Sequence, residues 1–104
     1  EAGVILSLVV PVFRNEESLP DLVEAVEELN RSLDGALEAV FVVDGSPDRS
    51  LEVLAGLLPG ASFRSQLLAL SRNFGSFAAI TAGLRAARGE IFAVMAADLQ
   101  GLRS

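Results

Sequence analysis

The stretch VILSLVV at residues 4–10, followed by PVFRNEES at residues 11–18, decides the fold class of this chain. The first part is a run of aliphatic and β-branched residues interrupted by a single serine, which is typical of a strand buried on both faces. The run ends at Pro11, and the polar residues after it predict a loop that leads into a helix. Strands of this kind occur in parallel sheets that are covered on both sides.

The same order, strand and then helix, continues along the chain. Further apolar runs predict strands at residues 39–43, 66–70 and 91–95, and periodic apolar residues predict helices at residues 19–33, 51–58 and 76–88. Ser18 and Asp21 resemble a capping box for the first helix, and Asp34 with Gly35 ends it. The third helix is rich in small residues, so we expect it to pack closely against the sheet. Alternating strands and helices predict an α/β fold with a parallel sheet and helices on both faces.

Composition narrows the functions that this chain can have. Fourteen acidic residues stand against eight arginines and no lysine, a net charge of −6 that argues against nucleic acid as a partner. The sequence contains no Cys and no His, which excludes thiolate or imidazole catalysis and any zinc site built on those residues. A metal must therefore sit on oxygen ligands, which favours Mg²⁺ or Mn²⁺.

Polar residues cluster after the predicted strands, at the edge where a parallel sheet binds its ligands. For Ser46, Asp48 and Asn73 we favour a purely structural interpretation as caps and turns. For Asp44 and Asp98 we favour ligand binding, because each follows an apolar strand where a carboxylate gains little from capping. The residues after the four strands are Pro11, Phe13, Arg14, Asn15 and Glu16; Asp44, Gly45, Ser46 and Asp48; Arg72, Asn73 and Gly75; Asp98 and Gln100.

Common phosphate-binding motifs are missing. The first strand is followed by PVFRNEES and not by GxGxxG, which argues against a dinucleotide site. A GxxxxGK[ST] loop is also missing, and without lysine the chain cannot form that loop or the acidic cluster with a strand-end lysine of a receiver domain.

Four ordered segments resemble the family 2 glycosyltransferases, and among them the polyprenyl- or dolichyl-phosphate sugar synthases. The segments are LSLVVPVFRNEESLPDLV at 6–23, FVVDGSPDRS at 41–50, LSRNFGSFAAITAGLRAARGE at 70–90 and VMAADLQ at 94–100. The resemblance implies a Rossmann-like fold of the GT-A type and a single domain, residues 1–104, that binds a nucleotide-diphosphate sugar with Mg²⁺ or Mn²⁺.

The resemblance also assigns roles to individual residues. Asp44 matches the acid that contacts the base or ribose, and Asp98 matches the second acid of the DxD motif, which ligates the metal. We expect removal of the Asp44 carboxylate to weaken nucleotide binding and to leave the fold intact. The substrate-binding residues implied in this way are Pro11, Phe13, Asn15, Glu16, Asp44, Asp98 and Gln100, and no catalytic base is identified.

The implied reaction is transfer of a hexose from UDP- or GDP-hexose to a lipid phosphate such as a polyprenyl phosphate. We expect a cytoplasmic enzyme, held at the inner face of the membrane through segments that these 104 residues do not contain, and the sequence leaves a homo-oligomer open. These residues lack an acceptor half with a base, so we expect no turnover by them alone.

The sequence departs from the family pattern at two positions, and one of them favours an alternative. Val43 replaces the first acid of DDGS, and Ala96, which favours the alternative, replaces the first acid of DxD. The alternative function is therefore an inactive domain of the same fold that serves as a binding or assembly module.

Restoring the missing acid tests the alignment. Ala96→Asp places a second carboxylate two residues before Asp98, on the same side of an extended segment. Because two adjacent carboxylates repel each other unless a cation lies between them, we expect a slightly lower Tm without metal. With Mn²⁺ and nucleotide we expect a larger gain in Tm than the parent chain shows. Thermal melts of both versions measure this, and equal gains would mean that residue 96 does not face the metal.

Overall fold

Four parallel strands form one sheet in the computed structural model, which describes residues 3–95 and residue 97. The strand order is β3-β2-β1-β4, so the predicted α/β fold with a parallel sheet is confirmed. Along the chain the elements are β1 (Leu6–Val12), α1 (Leu19–Ser32), β2 (Leu37–Asp44), α2 (Ser50–Leu57), a 3₁₀ turn (Leu58–Gly60), β3 (Arg64–Leu70), α3 (Ser76–Ala86) and β4 (Ile91–Val94).

Strand β2 is buried along its whole length, and its alternate side chains serve two cores. Phe41 and its neighbours on one face pack against the apolar side of α1 and against Leu54 of α2. Val40 and Val42 on the other face pack against Ala79 of α3. Helices therefore cover both faces of the sheet, as the sequence predicts.

The sequence predicts that the first strand ends at Pro11, but strand β1 continues to Val12. Proline is tolerated in this central strand because β4 pairs only with Leu6 to Val9. The carbonyl of Val9 accepts the last bond from this side, from the N–H of Met95 at 3.0 Å. Pro11 lies two residues further on and faces the same side, where β4 has ended, so its missing N–H leaves no partner unpaired.

Two predicted helix ends are also wrong. Ser18 does not cap α1, because its backbone is already helical and its single hydroxyl proton points towards carbonyl oxygens, those of Asn15 at 3.1 Å and Ala97 at 2.9 Å. Helix α3 ends at Ala86 instead of residue 88, because the next segment turns to bond buried groups of the sheet. Within residues 3–95 and 97, no helix combines the length and apolar character needed to cross a bilayer.

Glu38 is the buried group of the sheet that binds the backbone just after α3. Its side chain is 4% exposed, and Oε1 accepts from the hydroxyl of Ser7 at 2.8 Å and from the N–H of Arg88 at 2.9 Å. Gln66 donates to Oε2 at 2.7 Å and also to the carbonyl of Ala86 at 2.8 Å. Burial alone would raise the pKa of the Glu38 carboxyl, but these hydrogen bonds outweigh burial and hold that pKa below its ordinary value.

Gly83 lets α3 approach the sheet, as its run of small residues predicts. A Cβ at this position would lie 2.5 Å from Cγ1 of Val9 and 3.2 Å from Cγ2 of Val42. Both valines are fully buried, so neither has room to move away.

Gly83→Ala should destabilise the fold. The overpacking costs about 1–3 kcal/mol, which exceeds the helix-propensity gain of about 1 kcal/mol from glycine to alanine. Gly56→Ala in α2 is the matched control, because a Cβ there meets nothing within 4 Å. We expect urea unfolding to show a lower midpoint for Gly83→Ala and an equal or higher midpoint for Gly56→Ala. A Gly83→Ala midpoint at or above that of the parent chain would contradict the close approach.

Candidate functional site

A cleft of about 410 Å³ opens at the carboxyl edge of the sheet. The end of β1, the end of β2 and the loop between β3 and α3 all contribute to its wall, as expected for a ligand site in a parallel sheet. The lining residues are Pro11, Val12, Phe13, Asn15, Asp44, Asn73, Gly75, Ser76 and Ala97.

The structure brings together four of the seven residues that the resemblance implies, namely Pro11, Phe13, Asn15 and Asp44. Glu16 lies outside this cleft, in a neighbouring depression that Arg14 and Asp48 also line. Asp98 and Gln100 lie outside the residues that the structure describes, as does Ala96.

Asp44 is the last residue of β2 and is only 2% exposed. Its Oδ1 accepts from the N–H of Phe74 at 2.9 Å. Its Oδ2 accepts from the N–H of Gly75 at 3.0 Å and from Nδ2 of Asn73 at 3.1 Å. The carboxylate therefore holds the loop before α3 in place, and within residues 3–95 and 97 its Oδ1 accepts one hydrogen bond and its Oδ2 accepts two.

This role changes the sequence-based expectation for Asp44. We expected the carboxylate to act on the nucleotide without supporting the fold, but its hydrogen bonds shape the cleft wall itself. Gly45 lets the loop before α3 lie close to the end of β2, since a Cβ at Gly45 would lie 2.1 Å from the carbonyl carbon of Arg72. Asn73 and Gly75 follow β3 as predicted, and Ser76 is a lining residue that the strand-end pattern did not single out.

The loop between β1 and α1 carries Phe13 and Asn15 into the cleft. Arg14 between them has a φ of 57°, a left-handed conformation that is unfavourable for a residue with a Cβ. Oδ1 of Asn15 accepts from the N–H of Phe13 at 2.8 Å, which leaves the amide nitrogen as the donor of this side chain. Side chains of the connection between β2 and α2 hydrogen-bond to this loop and hold its conformation.

Asp48 is the centre of that support. Its Oδ1 accepts from the hydroxyl of Ser46 and from the N–H of Ser50, and its Oδ2 accepts from the N–H of Glu16. Burial alone would raise the pKa of the Asp48 carboxyl, but the hydrogen bonds from Ser46, Ser50 and Glu16 outweigh burial and lower that pKa to about 2. The structural interpretation of Ser46 and Asp48 as turn residues agrees with these contacts.

Two arginines near the cleft stack on aromatic rings. The guanidinium of Arg14 lies 5.3 Å from the ring centroid of Phe13, and that of Arg72 lies 4.9 Å from the ring centroid of Phe74. The exposed fraction of Phe74 is 50% and that of Phe13 is 38%, so both pairs face solvent. Flat apolar surface and positive charge are thus available at the rim of the cleft.

Comparison with known proteins identifies relatives over nearly the whole chain. The family model described as glycosyl transferase family 2 matches residues 7–102. The undecaprenyl-phosphate 4-deoxy-4-formamido-L-arabinose transferase of Pseudomonas paraeruginosa is 42% identical over 96 residues, which are 92% of this chain and 28% of that protein. The transferase of the same description from Pectobacterium carotovorum is 38% identical over 95 residues, or 91% of this chain and 29% of that protein. The chain thus spans less than a third of the length of these relatives.

Solved structures share the fold. A crystal structure of S. aureus TarS, residues 1–349, superposes with a TM-score of 0.79 at 21% identity over 91% of this chain and 28% of that one. A mannosyltransferase from Pyrobaculum calidifontis, in complex with GDP-Man and Mn²⁺, superposes with a TM-score of 0.76 at 23% identity over 89% of this chain and 27% of that one. The predicted GT-A type of α/β fold is therefore confirmed.

Asp44→Ala should lower stability, because it leaves the N–H groups of Phe74 and Gly75 without an acceptor. Each unpaired group costs about 1–3 kcal/mol, so we expect a total loss of about 2–6 kcal/mol in the free energy of unfolding. Glu24→Ala, at an exposed position of α1, removes the same charge and is the control. Urea denaturation measures both variants. If Asp44→Ala unfolds at the same urea concentration as Glu24→Ala, the carboxylate does not hold the loop.

Proposed function

The chain belongs to glycosyl transferase family 2, and from that premise we propose that it forms the donor-binding part of an enzyme that transfers a sugar from a nucleotide-diphosphate sugar to a polyprenyl phosphate. The observation that carries this proposal is the cleft at the carboxyl edge, where residues from three separate strand ends meet. We extend the proposal to residues 1–104 as one domain.

The cleft has the size and the lining that a nucleotide needs. About 410 Å³ lies within the usual range for small-molecule sites, roughly 300–1,000 Å³. Pro11 and Phe13 offer apolar surface to a flat base, and Asn15 offers its amide nitrogen as a hydrogen-bond donor. Asp44 offers the remaining acceptor position on Oδ1 to a base N–H or to a ribose hydroxyl.

The diphosphate lies, in this proposal, towards the start of α3. Ser76 is the first residue of that helix, and it lines the cleft together with Gly75. Amide groups in the first turn of a helix carry partial positive charge and suit an anion. Asp44 also lies beside this turn, so its negative charge opposes the diphosphate and a counter-charge is required.

A divalent cation is the counter-charge that fits the chemistry of this chain. Without His or Cys, the chain offers hard oxygen ligands only, which suit Mg²⁺ or Mn²⁺. Over residues 3–95 and 97 no group of three or more acidic side chains is arranged to hold a metal. Because Asp98 matches the second acid of the DxD motif, we propose that Asp98 and the phosphate oxygens of the donor share the cation. When bound, such a cation neutralises charge on the departing nucleotide diphosphate.

The acceptor and the sugar rest on the relatives. Their names specify undecaprenyl phosphate as acceptor and 4-deoxy-4-formamido-L-arabinose as sugar, and we propose a polyprenyl phosphate acceptor for the protein that contains this chain. An enzyme that uses such a lipid works at a membrane, and we propose the cytoplasmic face. The relatives' sugar is a pentose derivative and not the hexose that the sequence predicts. Competition between nucleotide-linked pentose and nucleotide-linked hexose donors for binding to the chain distinguishes the two sugar classes.

Family membership favours a transferase over the alternative of an inactive module. The alternative was based on Ala96, which replaces one acid of the DxD motif while the second acid, Asp98, is retained. Nucleotide titration separates the two functions, because an assembly module has no need of the cleft.

UDP or GDP should bind in the presence of Mg²⁺ or Mn²⁺ and should lose measurable affinity in EDTA. The physical reason is that a chain of net charge −6 repels a free diphosphate. Isothermal titration with each nucleotide, with and without EDTA, measures the difference and also identifies the base. Equal affinity with and without EDTA would show that binding needs no cation. If neither nucleotide binds under any condition, the cleft is not a donor site.

A further inference from the structure

Three consecutive backbone amides of the loop between β1 and α1 are held by side chains of the next strand–helix connection. The N–H of Arg14 donates to the hydroxyl of Ser46 at 2.8 Å, and the N–H of Asn15 donates to the hydroxyl of Ser50 at 3.3 Å. The N–H of Glu16 donates to Oδ2 of Asp48, also at 3.3 Å. Residues more than thirty positions apart in sequence thus fix one short stretch of backbone.

Asp48 organises this set of contacts. Its Oδ1 accepts the hydrogen bond that the Ser46 hydroxyl donates, so the lone pairs of the Ser46 oxygen are free to accept from the N–H of Arg14. The same Oδ1 accepts from the N–H of Ser50 at 3.1 Å, which fixes the residue whose hydroxyl holds Asn15. The carboxylate of Asp48 therefore holds all three amides: it accepts from the N–H of Glu16 directly, and it positions the two serines that accept from the other two.

The held backbone is one that the chain would not adopt freely. Arg14 is in the left-handed region, a conformation that persists only when surrounding contacts over-determine it. Its two neighbours, Phe13 and Asn15, both line the cleft, whereas Asp48 does not. The contacts of Asp48 thus reach Phe13 and Asn15 through this strained stretch.

We propose that Asp48 is a positioning residue for the donor nucleotide, which holds residues 13–16 so that Phe13 and Asn15 face the cleft. The inference rests on the proposed function, since it takes a nucleotide as the ligand of that cleft. A return contact supports it: the N–H of Arg49 donates to Oε1 of Glu16 at 3.1 Å, so the two loops bind each other reciprocally. Asp48 touches neither the nucleotide nor the reacting atoms in this proposal.

The charge of Asp48 and its positioning role predict opposite effects on nucleotide binding when the side chain is removed. Asp48→Ala removes one negative charge close to a site for a diphosphate, and this change alone would strengthen binding. Loss of positioning acts in the opposite direction. Glu17→Ala is the matched control, because Glu17 is an exposed carboxylate on the loop between β1 and α1 and its removal changes the net charge by the same amount.

The experiment is titration of the chain with UDP and with GDP in the presence of Mn²⁺, well below the melting temperature of each variant. We expect Asp48→Ala to weaken binding by about tenfold or more, and Glu17→Ala to leave it equal or stronger. Backbone amide NMR supplies the signature of positioning. The amide signals of residues 14–16 should shift and lose protection from exchange in Asp48→Ala, while those of β2 stay unchanged.

Asp48→Asn is the second variant and decides the matter if Asp48→Ala does not fold. Its Oδ1 still accepts from Ser46 and Ser50, but its amide group meets the N–H of Glu16 as a second donor, so we expect an affinity between those of the parent and Asp48→Ala. Parental affinity in Asp48→Asn, or in a folded Asp48→Ala, would overturn the inference while the proposed function stands. If the parent chain binds neither nucleotide, the proposed function fails first and the inference falls with it.

Discussion

Two buried carboxylates at the ends of one strand hold helix α3 in place, and the site depends on this arrangement. Glu38 and Asp44 lie near the two ends of β2, an even number of residues apart, so both point to the face that α3 covers. Asp44 accepts from the N–H groups just before the helix, and Glu38 accepts from the N–H of Arg88 just after it. Because a buried carboxylate is tolerated only when its oxygens are paired, these bonds fix the length of α3 as well as its position.

The position of α3 in turn sets one wall of the cleft. Gly83 brings the helix onto Val9 and Val42, and a larger residue there would push the whole helix away from the strand ends. The loop that begins α3 is then tied to β2 through Asp44 and lies against Gly45 without room for a side chain. The opposite wall depends on a different carboxylate, Asp48, whose hydrogen bonds in the described part of the chain go to Glu16, Ser46 and Ser50. Two separate hydrogen-bonded groups thus shape the two sides of the cleft.

The sequence predicted the strand and helix order, the parallel sheet and the edge that carries the site, because these follow from apolar periodicity. It did not predict the role of Glu38, although an acid inside the apolar run LEAVFVVD at 37–44 was a signal that a buried partner exists. The end of β1 and the end of α3 were also missed, since each depends on what a distant segment pairs with. Motif resemblance named Pro11, Phe13, Asn15 and Asp44, which line one cleft in the structure and whose binding roles stay predictions. It contained no information on how Asp44 is hydrogen-bonded.

The charges around the cleft bear on the proposal that this acidic chain holds a diphosphate through a cation. Asp44 and Asp48 are both paired with neutral donors, which orient dipoles towards the carboxylates but do not cancel their charge. In the described part of the chain the salt bridges join Arg31 to Glu28 and Arg49 to Glu52, on exposed helix surfaces, so they do not neutralise the carboxylate of Asp44. Arg14 and Arg72 stand at the rim, each stacked on a phenylalanine. Neutral donors make these acids tolerable in the fold, and the proposed cation would supply the positive charge that a bound diphosphate requires beside them.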